Sequence, residues 1–193
     1  ANYAQLLTLN SNSTAAYDGW VLESSETSDS GGTLNTTTNT FNLGDDRANK
    51  QYRGILHFDT SSLPDTAVVT SVTLKIQKQG LVGTDPFIAH GGLLVDIQKP
   101  YFGTTAGLVI SDFQAIPGQS GVATFDATPV SNWYSAMMNS AGYSCVNLSG
   151  TTQFRLRFTL DDNNDSGADY MKFYSGDAAA ANRPQLIVQY YIP

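Results

Sequence analysis

Residues 51–78 read QYRGILHFDTSSLPDTAVVTSVTLKIQK, and the stretch spells two β-strands with the turn between them. Tyr52, Leu56 and Phe58 share one parity, while Arg53, Ile55 and His57 share the other. This is the two-residue period of a strand whose side chains point alternately to opposite faces. Turn formers interrupt the run at residues 59–64, DTSSLP. Val72, Leu74 and Ile76 then alternate with Thr73, Lys75 and Gln77, which predicts a second strand with one face in a core.

Working outward, alternation and turn punctuation predict further strands near 3–9, 16–23, 39–43, 92–98, 121–126, 143–148, 153–160, 169–175 and 185–191. So many short strands imply an all-β fold, a jelly-roll-like two-sheet β-sandwich, with changes of direction at glycines. The run Phe154-Arg155-Leu156-Arg157-Phe158-Thr159-Leu160 alternates most cleanly and is expected at the centre of the core. One short helix is expected over 129–138: Asp126 or Thr128 can cap it, Pro129 suits its first turn, and Val130, Trp133 and Met137 recur at helical spacing. No repeat or linker divides the chain, so residues 1–193 read as one domain. Residues 26–40 are polar enough for a long loop. Residues 1–12 contain an apolar, β-prone run, Tyr3 to Leu9, suited to an edge strand or to one exchanged with a neighbouring copy.

A chain of 193 residues can bury roughly 70% of the surface its unfolded form exposes, so no staple is needed. Charged residues make up 14%, while Ser, Thr, Asn and Gly fill the loops, a composition suited to an extracellular β-protein. The net charge of −7, with ten scattered Lys and Arg, argues against nucleic acid, whose binding needs a clustered basic face. No apolar run approaches the ~18 residues of a membrane-spanning helix. The start, ANYAQLLTLN, has no basic and apolar leader, so an exported protein would have lost its leader or be given without it. The single cysteine, Cys145, cannot form an internal disulfide and reads as a small buried residue in a strand.

The hydrophobic-x-Phe-Asp pair at residues 55–59, the Ser-Ser-Leu-Pro turn at 61–64 and the terminal run RPQLIVQY at 183–190 occur in an order that resembles the DNRLRE family. These are extracellular bacterial and archaeal β-sandwich modules that include alginate-binding carbohydrate-binding modules. The likeness is best over 44–78 and 169–191 and loose elsewhere. It implies secretion, attachment to surface or polysaccharide-degrading proteins, and no catalysis.

Residues 161–169, DDNNDSGAD, crowd four carboxylates and two amides into one loop. Two unit charges about 4 Å apart repel by roughly 1 kcal/mol even in water. Structural Ca²⁺ would relieve this, with Asp161, Asn163 and Asp165 as alternating oxygen ligands and Asp162 beside them. Ser166 and Lys172 depart from an EF-hand, and a metal-free polar turn is the alternative. Asp45, in the Gly44-Asp45-Asp46 turn, and Asp18 are further candidate ligands, the latter by analogy with related sandwiches alone. For a glycan, the exposed aromatic candidates are Tyr101, Phe102 and Trp20, with Arg155 and Arg157 as a clamp for a sugar carboxylate unless they pair with Asp on a neighbouring strand. Asn12, Asn35, Asn147 and Asn164 head Asn-x-Ser/Thr glycosylation sequons. Enzymatic readings are poor: Glu23 and Glu26 are the only glutamates, and neither His57 nor His90 has a triad pattern. Two functions follow as expectations: a secreted, non-catalytic module binding polysaccharide or a cell-surface glycan, or a structural subunit of an extracellular filament or surface layer that self-associates by strand exchange.

Overall fold

The computed structural model describes residues 5–193. Twelve strands run in the order β1 (Leu7–Asn12), β2 (Gly19–Glu23), β3 (Gly31–Asn35), β4 (Thr40–Asp45), β5 (Gln51–Asp59), β6 (Val68–Val82), β7 (Leu93–Gln98), β8 (Gln119–Thr124), β9 (Trp133–Met137), β10 (Thr151–Phe158), β11 (Asp169–Tyr174) and β12 (Gln185–Tyr191). Two short helices, α1 (Pro86–Ala89) and α2 (Ser140–Ser144), lie among the loops. The fold is all-β, as the alternation predicts.

All strand pairs are antiparallel. One sheet runs β1-β12-β6-β9, and the other runs from β6 through β11 and β4 to β5, then β10, β7 and β8, with the β2-β3 pair on β5. The strand shared by both is β6. Residues up to Gln77 pair with β12 and β9, whereas Lys78 to Val82 pair with β11. A register shift between Lys172 and Phe173, opposite the Lys78-to-Gly80 segment, marks where β6 passes from one sheet to the other. Such bulges bend a strand and let it turn a corner.

The two inner faces meet in one core. Val72, Leu74 and Ile76 of β6 and Leu186 and Val188 of β12 join Leu56 and Phe58 of β5, Phe154, Leu156 and Phe158 of β10, and Phe173 of β11. The Tyr134 and Phe173 rings meet edge to face at 5.5 Å across the layers. Arg53, Ile55 and His57 face away from this core, as their parity predicts, but into a second cluster. There Ile55 packs with Val21, Phe102, Leu108 and Phe113 under the segment 99–118.

Three local expectations are corrected, beginning with the long loop expected over 26–40, which holds β3. Residues 129–138 are not a helix: Ser131 (φ 51°) and Asn132 (φ 67°) make a tight turn closed by the Val130–Trp133 bridge, and β9 follows. Tyr134, Ala136 and Met138 point inward while Met137 is 69% exposed, so strand alternation, not helical spacing, governs the segment. The strand expected at 143–148 is instead the end of α2, capped by the Asn139 side chain, and Cys145 is a half-buried C-cap with a free thiol. β1 pairs with β12 of its own chain at the edge of the sheet, Leu7 opposite Tyr190 through Asn12 opposite Gln185; Tyr3 and Ala4 lie outside the described residues.

Candidate functional site

The acidic loop does not gather its oxygens around a common point. The Oδ1 atoms of Asp162, Asn163 and Asp165 accept from the amides two residues on, Asn164, Asp165 and Gly167, at 2.8, 3.2 and 2.6 Å, and Asp161 Oδ1 accepts from the Asp162 amide. The loop's own backbone thus satisfies these oxygens in a run of local polar turns, the alternative reading of its sequence. Asp18 lies apart from the loop. Its Oδ2 accepts from Ser13 Oγ and the Gly176 amide, both at 2.6 Å, while its buried Oδ1 has no partner. Burial pushes its carboxyl up to about 6, against the lowering effect of those two bonds.

A tighter constellation forms where β4 and β11 begin and end together. Asp45 and Asp169 are register partners, each the last inward position of an apolar row: Phe41 and Leu43 precede Asp45, and Met171 and Phe173 follow Asp169. Two glycines permit the approach. A Cβ on Gly44 (φ 127°) would meet the Asp169 carbonyl oxygen, and one on Gly83 (φ 69°) would meet the Ala168 carbonyl oxygen, so only glycine fits either place. The Gly83-Thr84 turn delivers the Thr84 amide to Asp169 Oδ1. The same connection carries α1, started by the Asp85 side chain and Pro86 and ended at His90.

His90 is fully buried, and its Nε2 lies 3.2 Å from Asp45 Oδ1 and 3.2 Å from the Asp169 carbonyl oxygen. Asp45 Oδ1 also accepts from the Asp169 amide at 3.0 Å, and Asn163 Nδ2 donates to Asp169 Oδ2 at 2.8 Å. Each of Asp45, His90 and Asp169 offers a ligand atom, all within 4.8 Å of one another. Desolvation works against the charged imidazole, but the bond to Asp45 and the surrounding negative charge outweigh it and hold the His90 pKa above its ordinary value. The sequence singled out Asp45 and the neighbouring Asn163. It missed Asp169 and His90, although the inward parity of Asp169 was readable; His90, in a turn, gave no signal.

The candidate sugar clamp is structural. Arg155 and Asp96 are register partners on β10 and β7, joined at 2.8 Å and nearly sealed from solvent. Arg155 Nη1 also donates to the carbonyls of Asp112, Phe113 and Ala115, while Arg53 Nη1 donates to Phe113 at 2.7 Å. The arginines therefore fasten the 99–118 segment over the sheet. Arg157, half-buried, reaches the same Asp96 at 3.2 Å. Phe102, expected at the surface, is fully buried beneath the Arg155 guanidinium at 5.0 Å, because it anchors that segment. Tyr101 is half-buried, and Trp20 packs edge-on against Tyr52 at 5.1 Å. Among the sequons, Asn12 and Asn164 are exposed, while the Asn35 and Asn147 side chains accept bonds from their own turns.

An open groove of about 660 Å³ lies elsewhere, between the start of β6, the end of β7 and α2. Tyr143, Lys99, Ser140, Ser149 and Asn147 line it over an apolar floor that includes Val146, and none of its lining residues is acidic. Lys99 Nζ donates to the Ser144 carbonyl at 2.8 Å, so the ammonium is held at the rim. Among the described residues, no helix is long and apolar enough to cross a membrane. No family model matches the chain, and no curated protein is significantly similar to it.

Proposed function

We propose that the protein is a secreted, non-catalytic module that holds polysaccharide in the groove beside α2. The observation that carries this reading is the groove's lining: one tyrosine ring, one ammonium, hydroxyls and an amide over an apolar floor. Sugar rings present C–H faces that stack on an aromatic ring and hydroxyls that need convergent polar partners, and the volume falls in the range of small-ligand sites. Glycoside hydrolysis needs two opposed carboxylates, and the lining supplies none. The low charge content and Ser- and Thr-rich loops favour an extracellular setting. Affinity electrophoresis through gels containing alginate, pectate or a neutral β-glucan tests the proposal. Retardation by at least one polymer, lost in Tyr143→Ala, supports it; unretarded migration in every gel rejects it.

A second reading is favoured by the placement of β1 at a sheet edge, where a strand can leave β12 and complete another copy. The chain would then be a filament or surface-layer subunit. Polymers in concentrated solution, abolished by Leu9→Pro, would favour this reading over the first.

A further inference from the structure

We infer that Asp45, His90 and Asp169 form a binding site for one divalent transition ion, with Zn²⁺ the best fit. Two acidic residues stand directly opposite each other on β4 and β11, and both are buried, at 0% and 3% exposure. Like charges opposite one another destabilise a sheet, and an ionised carboxylate removed from water needs a counter-charge. Among the described residues, His90 is the only basic side chain within ion-pair distance of either carboxylate: its Nε2 meets Asp45 Oδ1 and, beside it, the Asp169 backbone carbonyl.

The second observation is independent of the charge count. The fully buried Asp45 carboxylate uses Oδ1 for His90 and for the Asp169 amide, yet Oδ2 has no hydrogen-bond partner. A buried carboxylate oxygen left empty costs free energy unless a cation takes its lone pairs. The spacing suits a small ion. Ligands about 2.0–2.1 Å from a tetrahedral zinc stand about 3.3 Å from each other, and one ligand atom from each of Asp45, His90 and Asp169 lies within 4.8 Å of the others.

Imidazole with carboxylate selects a borderline ion over Ca²⁺, which takes six to eight oxygens. Asn163 already bonds to Asp169 Oδ2 and orients it, the part a supporting residue plays around a metal. The Phe158 ring, 6.0 Å from that of His90, covers the inner side. The acidic loop then acts as the neighbour of the site, through Asn163, and not as the site.

The test uses the full chain stripped with a chelator and titrated with Zn²⁺, Mn²⁺ and Ca²⁺ by calorimetry and thermal melting. The inference expects one Zn²⁺ per chain and a melting point raised by about 5 to 10 °C at roughly a hundred times the dissociation constant. Asp45→Asn and His90→Gln should abolish the rise, while Asp161→Asn keeps it. For the case where those variants do not fold, Co²⁺ added to the wild-type chain gives a second reading, since a tetrahedral site with an imidazole ligand has an intense visible band. Absence of binding by any of the three ions overturns the inference. So does Ca²⁺ binding lost in Asp161→Asn, which would return the ion to the acidic loop, and so does a cobalt spectrum of six-coordinate oxygen type.

Discussion

Buried charge is where single residues matter most in this protein. Arg155 holds its guanidinium between Asp96 and three backbone carbonyls, so Arg155→Ala leaves buried Asp96 with only the half-buried Arg157 as counter-charge and takes a donor from three carbonyls, of which Phe113 keeps that of Arg53. We expect a loss of about 3 to 5 kcal/mol in denaturant unfolding, against under about 1 kcal/mol for Arg157→Ala, whose side chain keeps 24% exposure. Asp112 is the opposite case. Burial pushes its carboxyl up to about 6, only partly offset by the Val109 amide and Arg155, and its Oδ1 has no partner. A folded-state pKa above the unfolded value of about 4 means that the native form binds the proton more tightly. The group's stabilising contribution is therefore complete below about pH 4 and is lost as pH rises through 6. Asp112→Asn removes that dependence: the variant's melting temperature should gain on the wild type's between about pH 4 and 6 and hold a level lead above about pH 7. A gap that stays constant across that interval would contradict the placement of Asp112. These roles were partly legible. Pairing of the arginines with a neighbouring Asp was one of the two readings of their spacing, but nothing in the local sequence told that residues 99–118 would fold over them.

At the scale of elements, the turn into β9 separates two readings of the same residues. Val130, Trp133 and Met137 fit a helical face, yet the inward residues are Tyr134, Ala136 and Met138, with period two. Large apolar groups stand on both faces of this strand, so hydrophobicity alone carried no clear period. Asn132 sits at φ 67°, a conformation that glycine adopts without strain. Asn132→Gly should thus be neutral or stabilise by up to about 1 kcal/mol. In the interior of a helix the same change would cost about 0.3 kcal/mol, so the sign of the shift in the urea midpoint distinguishes the two structures. The strands β5 and β12 match their expected bounds to within a residue because each has a turn at one end and sustained alternation, whereas β6 runs on to Val82, four residues past expectation, and β10 lies two residues earlier than expected. Short helices of four or five residues, such as α1 and α2, give too few turns for a period to register. The pairing of β1 with β12 was open in sequence because an apolar edge strand fits its own sheet and a neighbour's equally well.

For the whole molecule, composition and alternation sufficed for two layers, whereas the places where the layers are overlaid or left open depend on contacts far apart in sequence. The groove joins the start of β6, the end of β7 and α2, and no local pattern links Lys99 to Tyr143. Of the aromatics expected at the surface, Phe102 is buried in the second cluster, while Tyr143, which its local sequence did not single out, borders the groove. Amide chemical-shift mapping of the isotope-labelled chain, titrated with alginate and neutral β-glucan oligosaccharides, addresses the proposed task most directly. Saturable shifts concentrated at residues 67–69, 99 and 140–149 are expected with at least one of the two sugars. Shifts confined to another face of the sandwich, or none with either sugar, would contradict it.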